Sequence, residues 1–365
     1  MLIYLTNSLI VDPQDKHYNS IRIAIRNIAL AVIESKHLLR GDYEVLCSMC
    51  DIFKSDVDIF PLFRKLSIEY ATHTIPNSIR NYVEVVKENP IRRYTDSFCI
   101  NQVAYEYFMD TLKVQPMNFI LEDDDDNIIY ELIVNWYIKE KQLNTNTSYS
   151  IVHGGGNNIL DVVNKHIKQG YMAVCITDPD LHFPEQTIKN DSCCAKCARM
   201  NAKGGIYYHY YPKVHEMENL IPLNYIDCMD WHLKQNALDK AAFEKLSNCE
   251  KREEILKFFD YREGIKKEQI ENTAQRDNFY EYAKLCCEQN LELLAGLTFE
   301  EYYDQLQGKD YVYPRLKKRI IPEIKQLLEH PMPDPSLMNF QKEEWLKIGE
   351  FLVGLFCARN KETLL

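Results

Sequence analysis

Residues 117–180 hold three short apolar runs separated by two amphipathic stretches, and each run is stopped abruptly. Residues 117–121 end in Glu122, Asp123, Asp124, Asp125 and Asp126. Residues 150–153 end in Gly154, Gly155 and Gly156, and residues 171–177 end in Asp178, Pro179 and Asp180. Between them, Ile128, Ile129, Leu132, Ile133, Trp136 and Tyr137 recur at helical spacing, as do Ile159, Leu160, Val162, Val163 and Ile167. Strand, helix, strand, helix, strand is the order of an α/β unit with parallel strands. Chemistry in open α/β sheets sits at the carboxyl ends of strands, and acids fall there twice.

Five adjacent carboxylates repel one another, so residues 122–126 suit a surface loop or a helix start. Capping accounts for Asp126 at the head of the first helix. It does not account for Glu122, which follows the strand directly. Asp178 and Asp180, one residue apart after a buried run, are costly unless a cation sits beside them. Mg²⁺ or Mn²⁺ is the usual answer for such oxygen donors, while a plain polar turn at Pro179 is the alternative. Glycines at 154–156 permit a tight turn or close approach of an anion. No Lys-Ser/Thr follows, so this is no P-loop. A fourth strand fits residues 206–211, and Glu218 follows it as another acid after an apolar run.

The flanks carry less signal. Residues 1–115 read as mainly helical after a strand at 2–5, with an apolar helix over residues 21–39. Residues 227–365 read as mainly helical, broken near Gly264. Tyr311, Tyr313, Arg315, Lys317, Lys318 and Arg319 mix aromatics with cations, which fits a strand of nucleic acid or an amphipathic packed segment. Cys194 and Cys197 form a CxxC, as do Cys47 and Cys50. Either pair is half of a structural zinc site, or ordinary buried thiols. A net charge of -11 argues against broad coating of nucleic acid or anionic membrane. There is no signal peptide and no apolar run that spans a bilayer, so a cytoplasmic protein with reduced thiols is expected.

Taken together, these positions resemble the TOPRIM fold, in the version carried by OLD-type nucleases and related bacterial anti-phage defence proteins. That family has a Glu after its first strand with an Asp four residues on, matching Glu122 and Asp126. It has a glycine turn after the second strand, matching Gly154, Gly155 and Gly156, and a DxD after the third, matching Asp178 and Asp180. Glu218-Asn219-Leu220 looks like a further stretch of the defence branch. Where the family commonly has Gly after its first Glu, this chain has Asp123. The resemblance covers residues 117–225.

The resemblance implies a TOPRIM-like α/β core over residues 116–226, between helical regions 1–115 and 227–365. It implies metal-dependent cleavage of DNA or RNA, tRNA included, by a toxic antiviral effector. Glu122, Asp178 and Asp180 would be catalytic. Mg²⁺ or Mn²⁺ would be held by Glu122, Asp126, Asp178, Asp180 and Glu218. An ATPase or sensor subunit docked on the helical flanks would restrain it, and a homo-oligomer is a further assembly to expect. Two alternatives stand beside this expectation: a non-catalytic interaction subunit on the same scaffold, and another Asp-x-Asp phosphotransferase or glycosyltransferase.

Overall fold

A sheet of four parallel strands occupies the middle of the chain. The computed structural model describes residues 1–71, 79, 81–94, 99–200, 206–229, 234–317 and 319–360. In chain order the first strands are β1 (Leu2–Leu5), β2 (Leu38–Gly41), β3 (Tyr82–Val86), β4 (Arg92–Tyr94) and β5 (Cys99–Ala104). They are followed by β6 (Met117–Leu121), β7 (Asn146–Thr147), β8 (Tyr149–His153), β9 (Ala173–Ile176) and β10 (Tyr207–Tyr210). The helices among them are α1 (Tyr18–Ile33), α2 (Tyr43–Ile52), α3 (Phe60–Ile68), α4 (Asn127–Glu140), α5 (Ile159–Gln169) and α6 (Cys193–Ala198).

The middle sheet runs β10-β9-β6-β8, every pair parallel. Its central strands are apolar on both faces because helices cover both. Phe119, Leu121, Val174 and Ile176 join the large core that includes Ile129 and Ile133 of α4. The alternate residues Ile120, Ala173 and Cys175 face Ile159 and Val163 of α5 and Cys197 of α6. All four strands expected from residues 117–211, and both intervening helices, are present.

The N-terminal region departs from expectation. Beside the helices α1, α2 and α3, and where one strand was expected, residues 1–104 carry a second sheet of five strands, in the order β2-β1-β3-β5-β4. The helix expected over residues 21–39 stops at Ile33, where Ser35 turns left-handed with φ 61°. Leu38–Gly41 then pairs in parallel with β1. A side chain at Gly41 would stand 2.9 Å from the Leu5 carbonyl oxygen, so that close strand approach requires glycine. The side chains of the basic spot Arg92-Arg93 lie outside the described residues, as does Lys318.

The described part of residues 227–365 is mainly helical, with short strands and loops between the helices. Its longest helix, Asn339–Phe356, packs along α4. Trp345 meets Trp136 edge-on at 5.5 Å, and Phe356 stacks on Tyr149 at 4.3 Å. Gly349 lies against the Tyr137 ring and Gly354 against the Asn81 backbone, both too close for a Cβ. This helix therefore ties the two sheets into one apolar core that draws on all three regions of the chain. No helix among the described residues is long and apolar enough to cross a membrane.

Candidate functional site

Strands β6 and β9 are hydrogen-bonded neighbours with Ile120 opposite Cys175, so the residues just past their ends meet. The Asp178 amide donates to Glu122 Oε1 at 3.2 Å. The glycine turn after β8 fixes the backbone of the same spot. Gly154 N–H donates to the Leu121 carbonyl at 2.7 Å and Gly156 N–H to the Glu122 carbonyl at 3.1 Å. A Cβ on Gly154 would stand 2.5 Å from that Leu121 oxygen, and Gly155 is left-handed. Two of the turn's three amides are thus committed to the strand carrying Glu122, which fits the tight-turn alternative expected of these glycines.

The acid run divides by direction. Asp123 accepts from the Asp125 amide and starts the helical turn, taking the capping role expected of Asp126. Asp124 pairs with His153 at 3.0 Å and Asp125 with Lys325 at 2.7 Å, both toward solvent. Asp126 sits at the head of α4 but makes no capping hydrogen bond. Its carboxyl is largely buried, and burial together with Glu218 and Asp123 pushes its pKa up to about 8.

Glu218 reaches the cluster from a short helical turn, Met217–Leu220, and is 4% exposed. The turn is anchored from behind. Asn219 donates to the Leu256 and Phe259 carbonyls, Gln341 donates to the Asn219 carbonyl, and Trp345 donates to the Leu220 carbonyl. Burial, with Glu216 beside it, pushes the Glu218 carboxyl up to about 7. Burial also raises Asp178, aided by Glu216, Glu122, Glu218 and Asp126, and it raises Glu122. Asp180 is exposed, so solvent screens the upward push on its carboxyl. Its backbone is left-handed at φ 53°, a conformation that costs a non-glycine residue about 1 kcal/mol or more and gathers at functional sites.

Three residues complete the surroundings: Arg262 and Asp260, which sequence reasoning passed over, and His215, which it offered only as a partner for the Cys194 and Cys197 thiols. Arg262 bridges Glu216 at 2.7 Å and Glu218 at 3.0 Å. Burial works against its charge, but Glu218 and Glu216 more than offset that. His215 is buried beside Asp260, with Nε2 at 3.3 Å from the carboxylate. No spacing rule marks Arg262, because the chain brings it in from beyond the α/β unit by way of the turn at Gly264.

The cysteines pack. Cys194 and Cys197 are buried on α6, where Cys197 joins Cys175 and Tyr207 in the smaller core. Among the described residues, no group of three donors spaced for one ion includes either thiol. By the same measure no three of the described carboxylates are spaced for one ion; they are oxygen donors whose burial, with their mutual repulsion second, favours protonation. Comparison with protein families, with curated proteins and with solved structures finds no match for this chain.

Proposed function

We propose that this chain is a metal-dependent phosphodiesterase with a TOPRIM-like core, acting on DNA or RNA as an effector of antiviral defence. One observation carries the reading. Glu122 and Asp178, 56 residues apart in sequence, stand in hydrogen-bond contact at the ends of adjacent parallel strands, with Asp126 and Glu218 on the same cluster. The order and spacing of the motifs supply the family reading.

Glu122, Asp178 and Asp180 would hold Mg²⁺ or Mn²⁺, with Asp126 and Glu218 available to a second ion. Such ions lower the pKa of bound water and neutralise phosphate charge in transit. The chain's own residues do the rest. Glu122, fixed by the Asp178 amide and the glycine turn, is placed to take a proton from attacking water. Arg262, 44% exposed, offers its guanidinium to a phosphate once the carboxylates are otherwise neutralised. Restraint by an ATPase or sensor subunit belongs to the same proposal.

Arg262 also favours a second reading. A guanidinium already paired with Glu216 and Glu218 neutralises part of the cluster, as a non-catalytic interaction subunit would need. Cleavage of single- and double-stranded DNA, RNA and tRNA, in Mg²⁺, Mn²⁺ and EDTA, separates the two. Metal-dependent cleavage that Asp178→Asn abolishes supports the nuclease. Absence of cleavage, alone and with co-purified partners, supports the scaffold.

A further inference from the structure

Beside the acid cluster lies a group of different chemistry. His182, His215 and Asp260 each offer one ligand atom, and these atoms all lie within 4.8 Å of one another. His182 follows Asp180 on the loop after β9. His215 precedes the Glu218 turn, and Asp260 opens the loop that carries Arg262. Three separate segments therefore converge on one point.

Each member is held in place. Asp260 Oδ1 accepts from the Arg262 and Glu263 amides at 2.9 and 2.7 Å, which turns Oδ2 toward His215 Nε2 at 3.3 Å. The His182 amide is bonded to Gln186 at 2.7 Å. Its ring stacks on Phe279 at 5.6 Å and lies 4.5 Å from the His215 ring. His215 is 1% exposed, yet neither of its ring nitrogens has a hydrogen bond in acceptable geometry. The Asp260 contact is close but poorly directed. A buried imidazole without hydrogen bonds is costly, and most buried polar atoms have a partner.

We propose that His182, His215 and Asp260 form a site for a divalent transition metal, of which Zn²⁺ is the natural occupant class. Two imidazoles and one carboxylate suit zinc and its first-row neighbours rather than Mg²⁺. Ligands on a tetrahedral ion at ~2.0–2.1 Å stand roughly 3.3 Å apart, the spacing His215 and Asp260 already have. His182 offers a ring nitrogen within 4.8 Å of both, at the edge of a cavity of about 320 Å³. That cavity is lined also by Asp180, Lys189 and Ser192, so solvent reaches the His182 side of the site. The site shares no ligand with the carboxylates assigned to Mg²⁺, although Asp180 lines its cavity, and it does not depend on that assignment.

The test uses the full chain, stripped with EDTA, loaded with Zn²⁺, and dialysed against metal-free buffer containing millimolar Mg²⁺. Zinc content by mass spectrometry should be about one per chain, as three fixed protein ligands predict. X-ray absorption should show nitrogen and oxygen neighbours with imidazole scattering. Retention should fall to background in His182→Ala and in His215→Ala, and stay unchanged in Asp178→Asn. Should buried His215→Ala fail to fold, His182→Ala at the cavity edge and the wild-type spectrum decide the matter. Four results would overturn the site: no retained zinc, a sulfur shell near ~2.3 Å pointing to Cys194 and Cys197, full retention in His182→Ala, or loss of zinc in Asp178→Asn.

Discussion

Replacing Asp126 with asparagine removes one charge from the cluster while keeping its shape. The Asp126 carboxyl ordinarily titrates at 3.8 and is raised to about 8 in the fold. Between those values the folded protein holds a proton that the unfolded chain has shed. Stability therefore falls as pH rises through that window, and the loss is complete only above the folded value. At about 1.4 kcal/mol per pH unit, an isolated group would cost roughly 5 kcal/mol at pH 8. Burial is the larger cause of that shift and repulsion from Glu218, itself raised, the next, so about half of that, 2–3 kcal/mol, is the expected gain from Asp126→Asn. With an unfolding entropy of about 2.1 cal/mol/K per residue, this chain shifts about 1.3 °C per kcal/mol. Metal-free Asp126→Asn should then melt about 3 °C above wild type at pH 8 and level with it near pH 4. Millimolar Mn²⁺ should raise wild type by a similar amount, since ligand at a hundredfold excess over Kd contributes about 2.7 kcal/mol, and should raise the variant less. Scanning calorimetry at matched ionic strength reads all four values. An offset as large at pH 4 as at pH 8, or a variant that melts below wild type at pH 8, would refute the repulsion argument.

The other expectations follow from neighbouring residues. Arg262→Met leaves Glu218 and Glu216 facing each other; because Arg262 is 44% exposed, the loss is screened to about 1–2 kcal/mol at pH 8 rather than that of a fully buried pair, and it should shrink near pH 5, where Glu218 holds a proton. Denaturant unfolding at both pH values measures it. Gly154→Ala drives a Cβ to 2.5 Å from the Leu121 carbonyl oxygen and should cost about 2 kcal/mol or more, with metal response weakened because Glu122 is displaced; calorimetry with and without Mn²⁺ checks both. Gly155→Ala, strained only by its left-handed backbone, should cost about 1 kcal/mol and leave the Mn²⁺ response intact.

The middle sheet was legible because its signals are local. Short apolar runs ending in Gly, Asp or Pro stated both the strands and where they stop, and the ends of β6 and β9 are where Glu122 and Asp178 meet. The N-terminal sheet was not legible for the opposite reason. The segment after α1 continues its apolar pattern through Leu38 and Leu39, and only the backbone turn at Ser35 and the approach of Leu5 to Gly41 convert it to a strand. Within the site, residues following strands could be read, whereas Arg262 and Asp260 could not. They sit on a loop whose position is set by the Gly264 turn against Tyr313 and Arg315, a contact between distant segments. The direction of each acid was likewise hidden: His153 and Lys325 draw Asp124 and Asp125 outward, and neither pairing has a sequence signature.

The helix Asn339–Phe356 also sets a timetable. The aromatic faces it covers, Trp136 and Tyr137 on α4 and Phe119 in the sheet, emerge from the ribosome some 200 residues ahead of it. At about 5–20 residues per second, that is an interval of roughly 10–40 s. During it those faces have no permanent cover, and such long-range closure is slow in any case. A nascent chain in this state is a client for holding chaperones, and the Glu218 turn, which Gln341 and Trp345 brace, cannot yet be set. Assembly of the acid cluster is therefore among the last events of synthesis, and a chain stalled short of residue 339 should be sensitive to protease and silent toward metal.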